Sequence, residues 1–254
     1  MATQIIAVAN NKGGTGKTAT TINLGKGLAI KGKKVLLIDN DPQANLSSRL
    51  GIRIKADTST IYDVYKENAS LPIVKVEESL HVTPSSRKLE TIPGILAEVS
   101  RNNYRLADAL ELVSQAYDYI LIDCPPATGL LTANALSVAN LIIVPVTAGD
   151  RDAIKGMVNI SGLIKKFLEE GVNPDLQDLR ILVNSYKKNH SVDQATEMTL
   201  QSHYQDNLLR SVIRENTQIK QSEWRNTTVF EHSPKSSAVK DYTKLTEEVL
   251  SLVS

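Results

Sequence analysis

Apolar residues gather in six short runs along the chain: IIAVA (5–9), KVLLID (34–39), LHVTP (80–84), YILID (119–123), LIIVPV (141–146) and RILVN (180–184). Each is too short for a helix and too continuously apolar for a strand with one wet face, so the pattern predicts strands buried on both faces. Between them, helical periodicity predicts helices over 17–31, 104–115, 150–170, 192–205 and 236–252, while 40–60, 84–100 and 207–235 are less regular. Strands separated by segments long enough for crossover helices define an α/β class, with a mostly parallel, twisted sheet and helices on both faces. No repeat, low-complexity tract or Pro/Gly-rich linker marks a boundary, so residues 1–254 are expected to form one domain.

Composition narrows the possible partners. Lys plus Arg number 29 against 28 for Asp plus Glu, a formal charge of +1, so any basic surface must be local. The single cysteine, Cys124, excludes an internal disulfide, cannot build a metal site alone, and fits a reducing compartment. The start MATQIIAVANNKGG lacks the basic and then apolar regions of an export signal, and no run of 18 apolar residues occurs. A soluble, cytoplasmic protein is expected, with no separate DNA-reading domain ahead of a first strand that begins at Ile5.

The strand IIAVA runs into NNKGGTGKT, and a helical pattern starts at Lys17. This is the strand, loop and helix context of a phosphate-binding loop: glycines let backbone N–H groups converge on a polyphosphate, and the helix N-terminus adds its positive dipole end. Gly13, Gly14, Thr15 and Gly16 would shape the cradle, with Ala19 in the first turn beyond it. Lys17 would reach the β- and γ-phosphates of ATP, and Thr18 would offer a hydroxyl to Mg2+. The usual G-x-x-x-x-G-K-[ST] form would place glycine at position 11, where this chain has Asn11, and position 12 carries a second lysine.

KGGTGKT resembles the deviant Walker A motif of the ParA/MinD family of ATPases. The resemblance implies a P-loop NTPase fold and a homodimer sandwiching two ATP molecules, with Lys12 reaching the partner's nucleotide; otherwise Lys12 is an exposed lysine lending general positive potential. LLIDNDPQANLS matches the family's Asp-x-Asp-Pro-Gln segment, which implies that Asp41 orients the attacking water; alternatively Asp41 caps the next turn. Asp39 is then a structural or metal-side carboxylate. YILIDCPPATG has the pattern of a Walker B strand, bringing Asp123 to the strand end to hold the Mg2+ water shell ahead of a switch-like loop at Pro125, Pro126 and Gly129. Cys124 beside it has no adjacent histidine and reads as a packed thiol. Asn184, ending RILVN, is either an adenine contact, as in related ATPases, or a turn residue. SVIRENTQIKQSEW followed by SSAVKDYTKLTEEV resembles the family's C-terminal segment, although the proline usual before Arg214 is absent.

Within the family the ATP switch serves different outputs. ParA-like members ride on DNA as ATP dimers, whereas MinD-like members bind membrane through a C-terminal amphipathic helix. Here DYTKLTEEVLSLVS carries Asp241, Glu247 and Glu248 against one lysine, a poor match to anionic lipid, so the helix is expected to pack on the domain. The window 210–240 holds Arg210, Arg214, Lys220, Arg225, Lys235 and Lys240 against three glutamates, and Arg214 is the foremost candidate by resemblance. No helix-turn-helix signature or aromatic interleaving suggests base readout, so contacts with double-stranded DNA should be non-specific and salt-sensitive. The resemblance implies a nucleoid-associated partitioning ATPase, stimulated by a ParB-like partner, that segregates or positions cargo. A MinD-like membrane-associated ATPase is the alternative. A nitrogenase-reductase type is excluded, because one cysteine per chain gives a dimer only two of the four thiolates that a bridging cluster needs.

Overall fold

A computed structural model describes residues 2–252. Eight strands form one sheet: β1 (Gln4–Val8), β2 (Val35–Asp39), β3 (Val74–Glu77), β4 (Leu80–Thr83), β5 (Tyr119–Asp123), β6 (Leu141–Thr147), β7 (Asp178–Tyr186) and β8 (Leu208–Arg214). Their spatial order is β3-β4-β2-β5-β1-β6-β7-β8, and every pairing is parallel except β3 with β4. The helices are α1 (Lys17–Ile30), α2 (Asn45–Arg49), α3 (Ile61–Glu67), α4 (Ile92–Ile95), α5 (Arg105–Glu111), α6 (Leu130–Leu136), α7 (Arg151–Glu169), α8 (Ser191–Tyr204), α9 (Thr217–Trp224), α10 (Val229–His232) and α11 (Ser237–Leu252).

Alternation along the central strands sorts side chains into two cores. Leu36, Ile38, Ile120, Ile122, Ile142 and Val144 face one layer with residues of α3, α5, α6 and α7. Val35, Leu37, Tyr119, Leu121, Leu141 and Ile143 face the other, with residues of α1 and α11. Both faces are therefore dry, which is why these strands carry no alternating polar positions.

All six predicted strands are present, and α1, α7, α8 and α11 match their predicted spans closely. The helix expected over 104–115 ends at Glu111, giving way to a 3-10 turn at Ser114–Ala116. The strands at the two ends of the sheet, β3 and β8, fall outside the predicted set. β8 alternates buried Leu209, Ser211 and Ile213 with exposed Arg210 and Arg214, so the wet half of an edge strand hides its apolar half from a search for continuous runs.

Register sets the chemistry. Val8 and Asp39 both lie opposite Asp123, so the phosphate loop and both predicted strand-end carboxylates emerge at one level at the carboxyl edge of the sheet.

Candidate functional site

The loop after β1 is built by glycine conformations and one anchoring asparagine. Gly14 (φ +77°) and Gly16 (φ +87°) occupy left-handed backbone, and a Cβ on Gly16 would stand 1.9 Å from Asn184 Nδ2. Asn10, wholly buried, donates to Pro145 O (2.8 Å) and Ala153 O (3.2 Å) and accepts from Lys12 N–H (2.9 Å), fixing the loop to β6 and α7. Gly156 lets α7 come this close, because a Cβ there would lie 2.2 Å from Asn10 Oδ1. Gly16 also gives α1 no side-chain cap, so the first N–H groups of the helix are left for an anion.

A cavity of about 350 Å³ opens over this loop. Its walls include Gly13, Gly14, Gly16, Lys17, Thr18 and Ala19 from the loop and α1, Asp41, Gln43, Asn45 and Arg49 after β2, and Pro126 after β5. Asn184, Ser185, Arg214, Glu215, Asn216, Ile219, Lys220, Glu223 and Tyr242 close the far side. Lys17 Nζ donates to Lys12 O at 2.9 Å, and burial draws its ammonium below the ordinary lysine value against the pull of Asp123, Cys124 and Asp41. An incoming phosphate would exchange one carbonyl oxygen for full negative charge.

Two carboxylates that look alike in sequence differ here. Asp39 is fully committed: its oxygens accept from Ser47 N–H (2.8 Å), Ser47 Oγ–H (2.6 Å) and Asp41 N–H (3.4 Å), and burial raises its pKa to about 6. It clamps the segment after β2. Asp123 is buried and neither of its oxygens has a hydrogen-bond partner. Burial, reinforced by Asp39, lifts its pKa to about 8, while the neighbouring Thr18 hydroxyl opposes the shift. An unpartnered buried carboxylate beside a phosphate loop and a threonine hydroxyl fits a site for Mg2+. No group of three His, Cys, Asp or Glu side chains among the described residues could hold a metal by protein ligands alone.

Asp41 borders the cavity, with one oxygen accepting from Gln43 N–H at 2.9 Å, so it both shapes its own turn and faces the ligand space. Asn184 donates to Thr15 O (2.8 Å) and accepts from Ser185 N–H (2.8 Å), holding the loop from the side while lining the cavity. Cys124 is buried, and burial drives its thiol well above the ordinary range, so it stays protonated and inert.

Lys12 stands apart from its loop neighbours. Its side chain is 41% exposed, is absent from the cavity wall, and ends 4.0 Å from Asp152 Oδ2 in the first turn of α7. Arg214 is placed differently from the other basic residues of its window: its guanidinium makes a bidentate pair with the buried Asp241 carboxylate. Arg210, Lys220, Arg225, Lys235 and Lys240 are exposed. Sequence patterns gave no sign of Asn10, Asp152 or the Arg49–Glu223 ion pair (2.8 Å) that joins α2 to α9 at the cavity.

Comparison with known proteins agrees with this geometry. The profile of a family described as an AAA domain matches residues 3–178. The chromosome partitioning protein ParA of Caulobacter vibrioides is 34% identical over 98% of this chain and 94% of its own length. The sporulation initiation inhibitor protein Soj of Bacillus subtilis is 35% identical over 97% and 98% respectively. Among solved structures, cobyrinic acid a,c-diamide synthase from Mycobacterium smegmatis, with bound ATP analog and magnesium, superposes with a TM-score of 0.84 at 26% identity, covering 98% of this chain and 94% of that one. A putative plasmid partition protein from Borrelia burgdorferi bound to AMPPNP superposes with a TM-score of 0.82 at 25% identity, covering 98% and 99%. With its phosphate loop, its strand-end carboxylates and relatives matched over nearly their whole length, this chain belongs to the ParA/Soj family of partitioning ATPases.

Proposed function

We propose that the protein is an ATP-driven partitioning switch: with ATP and Mg2+ it forms a sandwich dimer that grips DNA without sequence preference. Hydrolysis, stimulated by a ParB-like partner, releases it. It would work in the cytoplasm on the nucleoid, segregating or positioning cargo such as a plasmid, a chromosome origin or a protein organelle. The observation that carries the dimer is Lys12, a cation of the phosphate loop that turns out of its own cavity and is held by a weak, exposed pair with Asp152.

Within one subunit, the loop N–H groups and the start of α1 bind the polyphosphate, and Lys17 leaves the Lys12 carbonyl to neutralise the terminal phosphates. Asp123 and Thr18 would hold Mg2+, which would supply charge neutralisation at the phosphate oxygens. Asp41, at the cavity edge, positions the attacking water in line with the γ-phosphorus. Lys12 of each subunit completes the charge at the other's nucleotide, which makes hydrolysis conditional on the dimer.

The membrane-associated alternative has less support. The apolar stripe of α11, which would have to enter the lipid, is already spent on the core: Tyr242, Leu245 and Val249 are wholly buried. No helix among the described residues is long and apolar enough to cross a membrane.

The experiment that tests the proposal is binding to a random-sequence duplex with ATP and with ADP across a salt series. Tight binding with ATP alone, weakening steeply with salt, is the expected outcome. Equal or absent binding in both nucleotide states would overturn the DNA-gripping switch.

A further inference from the structure

Trp224 is the only tryptophan in the chain, and it is 90% exposed. An indole so fully in water is unusual, since tryptophan is highly buried on average. Its setting is equally specific. On α9, Thr217, Lys220, Gln221 and Trp224 are all exposed and share one face at i, i+3 and i+4 spacing, and exposed Arg225 follows directly. The opposite face points inward: Ile219 packs on the core, Ser222 is buried, and Glu223 is turned back into its pair with Arg49. The outward face thus presents an aromatic ring and the Arg225 cation, with exposed Lys220 at its border with the nucleotide cavity and no exposed carboxylate among them.

A neighbouring element extends the same surface. Gln221 meets His232 of α10 (3.3 Å). A lipid surface would gain a single ring here, because the other outward positions of α9 are polar. Duplex DNA would gain phosphate contacts from the cations and an apolar contact between them.

We propose that Trp224 is a DNA contact of this protein, its ring lying against the sugar and base wall of a groove while Lys220 and Arg225 bind the flanking phosphates. This rests on the DNA-binding reading above and adds a non-ionic component to it. Such a contact is sequence-tolerant, because every nucleotide of the duplex offers the same sugar.

The indole is its own reporter. In full-length protein with ATP, a labelled random-sequence duplex is titrated while duplex anisotropy and tryptophan emission are recorded together. Emission should be quenched or shifted with the same midpoint as the anisotropy change. Trp224→Ala should weaken binding several-fold while leaving the log–log salt slope unchanged. Arg225→Ala should lower that slope by about 0.9. Trp224→Phe should recover much of the loss, and nucleotide binding by Trp224→Ala, intact because the residue lies outside the cavity, verifies its fold. Unchanged emission and unchanged affinity of Trp224→Ala in the face of a clear anisotropy signal would overturn the proposal and leave DNA binding standing. No anisotropy change in any nucleotide state would remove the DNA reading itself, and the proposal with it. An emission shift on anionic phosphatidylserine vesicles, with none on DNA, would assign the ring to a lipid surface instead.

Discussion

Gly16 shows how one hydrogen atom in place of a side chain sets the site. Its left-handed backbone and its contact with Asn184 each forbid a Cβ, so Gly16→Ala should cost about 1–3 kcal/mol of stability and abolish nucleotide binding, read by thermal melting and a nucleotide titration. Asn10 is the less obvious dependence. Asn10→Ala would strand the buried Pro145 carbonyl and untie the loop from α7, at about 1–3 kcal/mol, with KM for ATP raised more than kcat is lowered; an unchanged KM would show that the loop holds its shape without this anchor. Lys12→Ala carries a different expectation, because its side chain is 41% exposed and pairs with Asp152 at the long distance of 4.0 Å. That variant should fold and bind nucleotide yet fail to dimerise with ATP, so an ATP-dependent dimer seen by light scattering would refute the cross-subunit role.

Elements are tied together by charges that sequence separation conceals. Lys26 of α1 pairs with Glu77 of β3 and with Glu231 of α10 (3.1 Å), joining segments more than two hundred residues apart along the chain. Burial alone would push the Glu231 carboxyl up, but hydrogen bonds from Thr227, Thr228 and Lys26 hold its pKa at about 2. A carboxyl depressed on folding stabilises the native state above its unfolded pKa, near 4.5, and that contribution is lost as pH falls from there through about 2. Urea midpoints measured between pH 5 and pH 2 should therefore drop more steeply for the parent protein than for Glu231→Gln; parallel curves would show that the pair adds nothing to stability. At the same scale, the elements legible in advance were those with two dry faces or a full amphipathic period. The edge strands β3 and β8 were not, because half of each faces water and their partners are chosen by the sheet.

For the whole molecule, both sheet faces are covered, and α11 is part of that cover. Leu245→Asp should thus unfold the protein, losing more than about 4 kcal/mol in a denaturant titration, where a surface-binding helix would tolerate the change with its fold intact. The sequence by itself determined the α/β class, the phosphate loop and the identity of the family, since these follow from local runs and from residues adjacent in the chain. Tertiary structure decided how the matching residues divide their work. It committed Asp39 to Ser47 and left Asp123 unpartnered, turned Lys12 outward, drew Arg214 onto Asp241, and set Trp224 in solvent between cations. Each of these outcomes depends on which groups the fold brings within a few ångströms, and on what it leaves facing water, and neither is written in the spacing of residues along the chain.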